Sequence, residues 1–211
     1  MVSITVMAPL GKPNFDTQFY KKLKELKEKN VRAISTDLWW NDIEYEKNKY
    51  DWSIAKKWHR ALKKQNIQWV PIISFHSCGH NVNDDFVVKL PNYVLKEFIS
   101  DSNCFMTDDN YIIKEYVSFW NKKVYIRYKQ LLESFYKTFK ENFNDIDKIY
   151  VSMGPAGELR YPSYSPLFGW TYPQSGTLTC YCKEARESFQ SHLESTYLTM
   201  HTLNAEWGSH Y

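Results

Sequence analysis

The sequence predicts an α/β fold of parallel strand–helix units, four of them, spanning residues 1–211 and amounting to about half of a (β/α)8 TIM-type barrel. Three observations predict it. Short apolar strands alternate with amphipathic helices, the pattern of parallel crossovers. Asp37, His76 and Glu158 each fall at or just beyond the C-terminal end of a different strand. In a (β/α)8 barrel that rim holds the active site, whereas an open doubly wound sheet gathers its ligand in one crevice. The third is an absence: no GxGxxG or Walker-type loop occurs, so nucleotide binding has no support.

The elements follow in order. "SITVMAP" at 3–9 reads as a strand, with Ile4 and Val6 alternating. In "DTQFYKKLKELKEKN", Phe19, Leu23 and Leu26 stand at helical spacing behind Asp16, a candidate N-cap. "VRAIST" at 31–36 is a second strand that runs into "DLWWND". "DWSIAKKWHRALKKQN" repeats the helical pattern through Ile54, Trp58, Ala61 and Leu62. "IQWVPIISFH" at 67–76 is a third strand, although Pro71 within it has no ladder bond to donate.

A long connection then runs from Ser77 to Asn121, and long ordered connections tend to be functional. Residues 122–143 form the clearest helix, its stripe marked by Tyr128, Leu132, Phe135 and Phe139. "DKIYVSMG" at 147–154 is the fourth strand, and "CKEARESFQSHLESTY" is the fourth main helix, with Ala185, Phe189 and Leu193 inward.

Composition narrows the function classes. A net charge of +3 is too balanced to argue for nucleic acid or an anionic membrane. No apolar run approaches the length of a transmembrane helix. The N-terminus "MVSITVMAPLG" lacks a basic region followed by an apolar stretch, so the expectation is a cytoplasmic chain, or a secreted one shown without its leader. Cys78, Cys104, Cys180 and Cys182 do not have metal-ligand spacing and read as buried or idle thiols. The 12 Phe, 16 Tyr and 8 Trp suit a packed core and also suit stacking on sugar rings.

Three stretches combine a polar or ionisable group with glycine or aromatics after a strand: "STDLWWND", "SFHSCGHNVNDD" and "GPAGELRYPSY". Each alone has a structural reading. Asp37 would cap a turn, His76 would be a hydrogen-bonded core histidine, and Glu158 would pair with Arg160 or another cation. Their convergence on one rim argues for a site. Trp39 and Trp40 are candidates for sugar stacking, but adjacent side chains on an extended segment point opposite ways, so at least one belongs in the core.

Together with "MAPLGK", these stretches resemble beta-amylase, the inverting exo-acting hydrolase of α-1,4-glucans (glycoside hydrolase family 14). The resemblance covers essentially the whole chain, and "GPAGELRYPSY" is its most specific part. It implies that Glu158 is the general acid that protonates the glycosidic oxygen. It further implies that Asp37, His76 and Asp84 hold glucose units at the non-reducing end, and that "CGHNVND" is a loop closing over substrate. A general acid must stay protonated near neutral pH, which burial or a like charge achieves. Small glycines beside Glu158 would let a sugar approach closely.

The departures from the family pattern are informative. His80 and Asn83 replace two glycines of the mobile loop, where a left-handed backbone suits glycine best. Phe86 stands where some bacterial relatives carry a cysteine that pairs with the counterpart of Cys78, so no local disulfide is expected. Glu44 matches one acidic calcium ligand of bacterial relatives, but Arg127 and Gln130 stand at two others, which argues against metal; no cofactor is implied. An inverting glycosidase also needs a general base about 6.5–9.5 Å from the acid. In the family it lies near the seventh strand of a barrel roughly twice this length. No residue here matches it by motif. The expectation is therefore a chain that carries the acid, is inactive alone, and pairs with a missing C-terminal half or second chain. The alternatives are a non-catalytic glucan- or maltose-binding protein, or a non-functional fragment.

Overall fold

Four parallel strands form the body of the protein: β1 (Ile4–Met7), β2 (Val31–Trp39), β3 (Gln68–Ser74) and, much later, a strand at Tyr150–Ser152. The computed structural model describes residues 3–79, 86–98, 104–106, 111–159 and 176–210. Helix α1 (Thr17–Glu28) follows β1, a single turn α2 (Trp40–Ile43) and helix α3 (Ser53–Lys64) follow β2, and α4 (Asn92–Phe98) follows β3. A short antiparallel pair, β4 (Cys104–Met106) and β5 (Ile112–Val117), precedes the long helix α5 (Lys122–Phe139). The strand at Tyr150–Ser152 is β6, and α6 (Lys183–Tyr197) and α7 (Met200–Trp207) complete the chain. The sheet order is β1-β2-β3-β6, every neighbour parallel, which is the predicted half-barrel.

Local chemistry explains the elements. Asp16 Oδ1 accepts from the Phe19 amide at 2.8 Å, the expected N-cap. Asn121 caps α5 the same way, accepting from the Lys123 amide at 2.9 Å. Pro71 is tolerated in a central strand because the ladder toward β6 is broken around it. Trp69 bridges Ile146, and continuous pairing resumes only at Ile72 with Tyr150.

The core lies between the sheet and the helices. Ile34, Trp69 and Ile73 from the strands meet Leu23, Trp58, Leu62, Leu131, Phe135 and Phe139 from α1, α3 and α5. Aromatic edges fix the packing, as in the Trp69–Phe139 pair at 5.3 Å between centroids. Below the sheet, Arg32 grips Asp147 with both guanidinium nitrogens at 2.6 Å, while His59 and Lys63 share Asp145 at 2.8 Å. These pairs lie at the N-terminal end of the strands, the face that serves stability in a barrel.

Three features differ from expectation. The Ser77–Asn121 connection contains α4 and the β4–β5 hairpin. The α5 helix stops at Phe139 and tightens into a 3-10 segment over Lys140–Asp145. Phe189 is 55% exposed rather than inward, because the described residues cover α6 only near its start, at Ala185. The outer strands are likewise open, with Met7 of β1 59% and Tyr150 of β6 50% exposed. Half a barrel leaves two unpaired edges of this kind.

Candidate active site

Three strand ends build the site. Asp37 lies on β2, two residues before its end, in register with Ile72 of β3. Its Oδ1 accepts from Ser74 Oγ at 2.9 Å, while its Oδ2 is buried without a partner. Burial pushes the Asp37 carboxyl above its ordinary range, and the Ser74 hydroxyl partly offsets this. A buried acceptor with no donor is costly, and such a group at a strand end is a candidate ligand contact.

His76 follows β3 and is buried. Its Nδ1 lies 3.5 Å from Ser152 Oγ at the end of β6. Burial drives the imidazole down to about 4, against the effect of hydrogen bonding with Ser152, so the ring is neutral at ordinary pH. Trp39 braces it edge-on at 5.3 Å and is itself tied down, its indole N–H donating to the Leu10 carbonyl at 3.1 Å. Phe86 packs against Trp39 at 5.7 Å between ring centroids. Trp39 and Trp40 are both buried, so both serve packing here rather than offering an open face to a sugar.

Glu158 ends a short 3-10 turn over Pro155–Gly157, its amide donating to the Pro155 carbonyl at 3.0 Å. The two glycines serve the protein's own close approach. At Gly154 (φ +79°) a Cβ would stand 2.3 Å from the Glu158 carbonyl oxygen. At Gly157 (φ +82°) it would stand 2.0 Å from Ser152 Oγ and 2.7 Å from His76 Cε1. The turn folds directly onto His76, and Ser152 Oγ holds it by donating to the Gly157 carbonyl at 3.0 Å. Ala156, between the glycines, also takes a left-handed φ of +50°, a strained choice for a non-glycine residue.

The structure therefore brings Asp37, His76 and the Glu158 turn to one rim. The Glu158 side chain is exposed. Asp84, His80, Asn83 and Arg160 lie outside the described residues. One carboxyl that sequence reasoning passed over is Glu115 on β5, whose backbone carbonyl accepts from the Ser77 amide at 2.7 Å and whose side chain burial pushes up to about 7. Its signal was a lone glutamate in the otherwise largely apolar "IIKEYV".

The suspected cation position is filled by an arginine. Arg127 donates to both Glu97 oxygens at 2.9 and 3.2 Å and to Gln130 Oε1 at 2.9 Å. Glu44 is buried and engaged, accepting from the Trp40 indole at 2.9 Å and the Asn48 amide at 2.7 Å. Among the described residues no group of three or more His, Cys, Asp or Glu is arranged to hold a metal.

Comparison with known proteins agrees with this geometry. The thermophilic beta-amylase of Thermoanaerobacterium thermosulfurigenes is 39% identical over 211 residues, covering 98% of this chain and 38% of that protein. The beta-amylase of Medicago sativa is 36% identical, over 90% of this chain and 42% of its own. The catalytic domain of the Paenibacillus polymyxa beta-amylase superposes with a TM-score of 0.89 at 38% identity, over 99% of this chain and 50% of that one. A beta-galactosidase from a psychrophilic Marinomonas, at 10% identity and a TM-score of 0.67, shares the fold alone. The chain thus spans less than half the length of the curated relatives named here. The sequence profile of glycosyl hydrolase family 14 matches residues 5–211, and the chain belongs to that family.

Proposed function

We propose that these residues form the acid-bearing half of a beta-amylase-type active site, which cleaves α-1,4-glucosidic bonds of starch-like glucans from the chain end and releases maltose. The observation that carries the reading is the turn ahead of Glu158, whose Gly157 packs against His76, on the rim that also holds the unpartnered Asp37 oxygen. Asp37, His76 and Asp84 bind the glucose units, and neutral His76 can both donate to and accept from sugar hydroxyls. Glu158 gives its proton to the glycosidic oxygen as the bond from that oxygen to the anomeric carbon breaks. A water attacks the anomeric carbon from the opposite face and yields its proton to a second carboxylate, which inverts the configuration. That base is not assigned among the 211 residues, so the chain alone binds maltose without hydrolysing starch.

A second reading is a glucan-binding protein without catalysis, favoured by an intact binding wall beside an exposed Glu158. Calorimetric titration with maltose tests what the two readings share, and no binding by the folded chain sinks both. Co-expression with a polypeptide carrying units five to eight of a family member separates them. Maltose release from soluble starch, abolished by Glu158→Gln, supports the acid. Release that survives Glu158→Gln refutes the acid role, and binding without release in the completed barrel leaves the binding protein.

A further inference from the structure

A buried hydroxyl joins two strand ends of the rim. Asp37 and Ile72 are register partners of β2 and β3, and so are Leu38 and Ile73. Leu38 and Ile73 belong to the core against the helices, so alternation sends Asp37, Ile72 and Ser74 to the opposite, inner face. Ser74 stands one pleat beyond the partner of Asp37 and reaches across to it, its Oγ 2.9 Å from Asp37 Oδ1. On its other side Ser74 is the register partner of Ser152 of β6, whose hydroxyl approaches His76 Nδ1 at 3.5 Å. Ser74 thus occupies the strand end between Asp37 and Ser152.

A serine hydroxyl has one proton to give. Ser74 is fully buried, so bulk water does not compete for it. Two acceptors are in reach, Asp37 Oδ1 at 2.9 Å and the Ile72 carbonyl at 3.5 Å, and the shorter contact, to a carboxylate, is the stronger. The other carboxylate oxygen, Oδ2, is buried and has no donor. Asp37 is therefore held at one oxygen and open at the other, although a carboxylate accepts at both. The ionisable groups that share a pocket with Asp37 are engaged elsewhere: Lys12 pairs with Asp42 at 2.8 Å, and Asp51 accepts from the Ser53 amide at 2.8 Å. His76 is neutral above about pH 4. Burial raises the Asp37 carboxyl, and the Ser74 hydroxyl is the group that lowers it.

We infer that Ser74 is a positioning residue of this rim: its hydroxyl fixes the Asp37 carboxylate by Oδ1 and leaves Oδ2 to accept a hydroxyl of a bound glucose unit. The inference rests on the proposed sugar-binding role of Asp37 and adds to it the group that orients the carboxylate. Ser74, fully buried, acts through Asp37. Without it Asp37 loses a donor that favours its charged form, so its carboxyl protonates at higher pH and its side chain is freer to turn. Ser35 provides the comparison. It lies on the same face of β2, two residues before Asp37, and its hydroxyl donates to the Val6 carbonyl at 3.4 Å.

The test is calorimetric titration of the whole 211-residue chain with maltose across a series of pH values, for wild type, Ser74→Ala, Ser74→Thr and Ser35→Ala. Ser74→Ala should bind roughly tenfold more weakly, the scale of a hydrogen bond to a charged group. On acidification its affinity should also fall away at higher pH than that of wild type. Ser74→Thr keeps a hydroxyl and should restore binding, and Ser35→Ala should bind as wild type does. A second measurement needs no variant: the Ser74 hydroxyl proton, its exchange slowed by burial, should move in the NMR spectrum of wild type as Asp37 titrates. A Ser74→Ala chain whose affinity and pH profile match those of wild type or Ser35→Ala overturns the Ser74 assignment alone, as does a Ser74 hydroxyl proton blind to the Asp37 titration. Maltose binding unchanged by Asp37→Asn, or a folded wild-type chain that binds no maltose, overturns the sugar-binding role of Asp37 and the inference with it.

Discussion

Gly157→Ala should be a strongly damaging single-methyl change at the rim. Two costs add. Gly157 has φ +82°, where an L-residue suffers about 1–2 kcal/mol from its own Cβ. The new methyl also lands 2.0 Å from Ser152 Oγ and 2.7 Å from His76 Cε1, so both side chains must move out of a packed site. Overpacking of this kind costs about 1–3 kcal/mol. The sum is about 2–5 kcal/mol, a large share of the stability of a small domain. Gly208→Ala supplies the control, because Gly208 also has a left-handed φ (+61°) but nothing lies within 4 Å of its would-be Cβ. It should cost about 1 kcal/mol, the conformational part only. Urea unfolding of both variants measures the difference, and maltose titration reads the displacement of His76. If Gly157→Ala loses no more stability than Gly208→Ala, the turn is not pressed against His76 and the argument for a preassembled rim fails.

Two other substitutions probe the same framework. Arg127→Met should destabilise by about 1 kcal/mol, because it removes a two-pronged, part-exposed ion pair while Glu97 keeps Lys47 at 2.8 Å, and wild type should keep its melting temperature in EDTA. Asp37→Asn should raise the melting temperature, since it removes a buried carboxylate whose Oδ2 has no donor, yet weaken maltose binding several-fold; a stability loss without a binding change refutes the ligand-contact role.

The half-barrel was legible because periodicity carries it. Ile54, Trp58, Ala61 and Leu62 sit on the core side of α3 at helical spacing, and Asp16 caps α1 as its position suggests. The rim was legible because Asp37, His76 and Glu158 interrupt apolar strand ends with polar chemistry. What escaped was set by tertiary contacts rather than local pattern. The strands β4 and β5 are three and six residues long, too short for alternation to separate them from a loop. Phe189 fits the helical stripe of α6, but a stripe buries only what has a partner, and the described residues provide none. The glycines beside Glu158 announced a close approach, yet only the structure shows that His76 and Ser152 stand against Gly157.

Burial acts in opposite directions on two titrating groups, His76 and Glu115, which gives the folded chain a characteristic pH response. His76 falls from 6.5 to about 4, so the unfolded chain binds a proton that the folded one refuses. Stability is therefore lost as pH falls from 6.5 toward 4, by about 1.4 kcal/mol per unit. Glu115 rises from 4.5 to about 7, so the folded chain keeps a proton that the unfolded one releases. Stability is lost as pH rises from 4.5 toward 7, at the same rate. Between pH 4.5 and 6.5 the two slopes cancel, and the contribution of this pair is flat. Asp145 and Asp147, held low by Lys63 and Arg32, lose their contribution only below their unfolded value of 3.8, outside that window. Asp37, raised by burial, contributes with the sign of Glu115, but equally in wild type and in a Glu115 variant. Glu115→Gln should therefore expose the His76 slope. Its stability relative to wild type climbs across the window and reaches about 3 kcal/mol by pH 7. Urea midpoints at half-unit pH steps measure this directly. Parallel curves for the two proteins would show that the Glu115 carboxyl is already charged at pH 5, and hence that partial burial does not raise it as the pH argument requires.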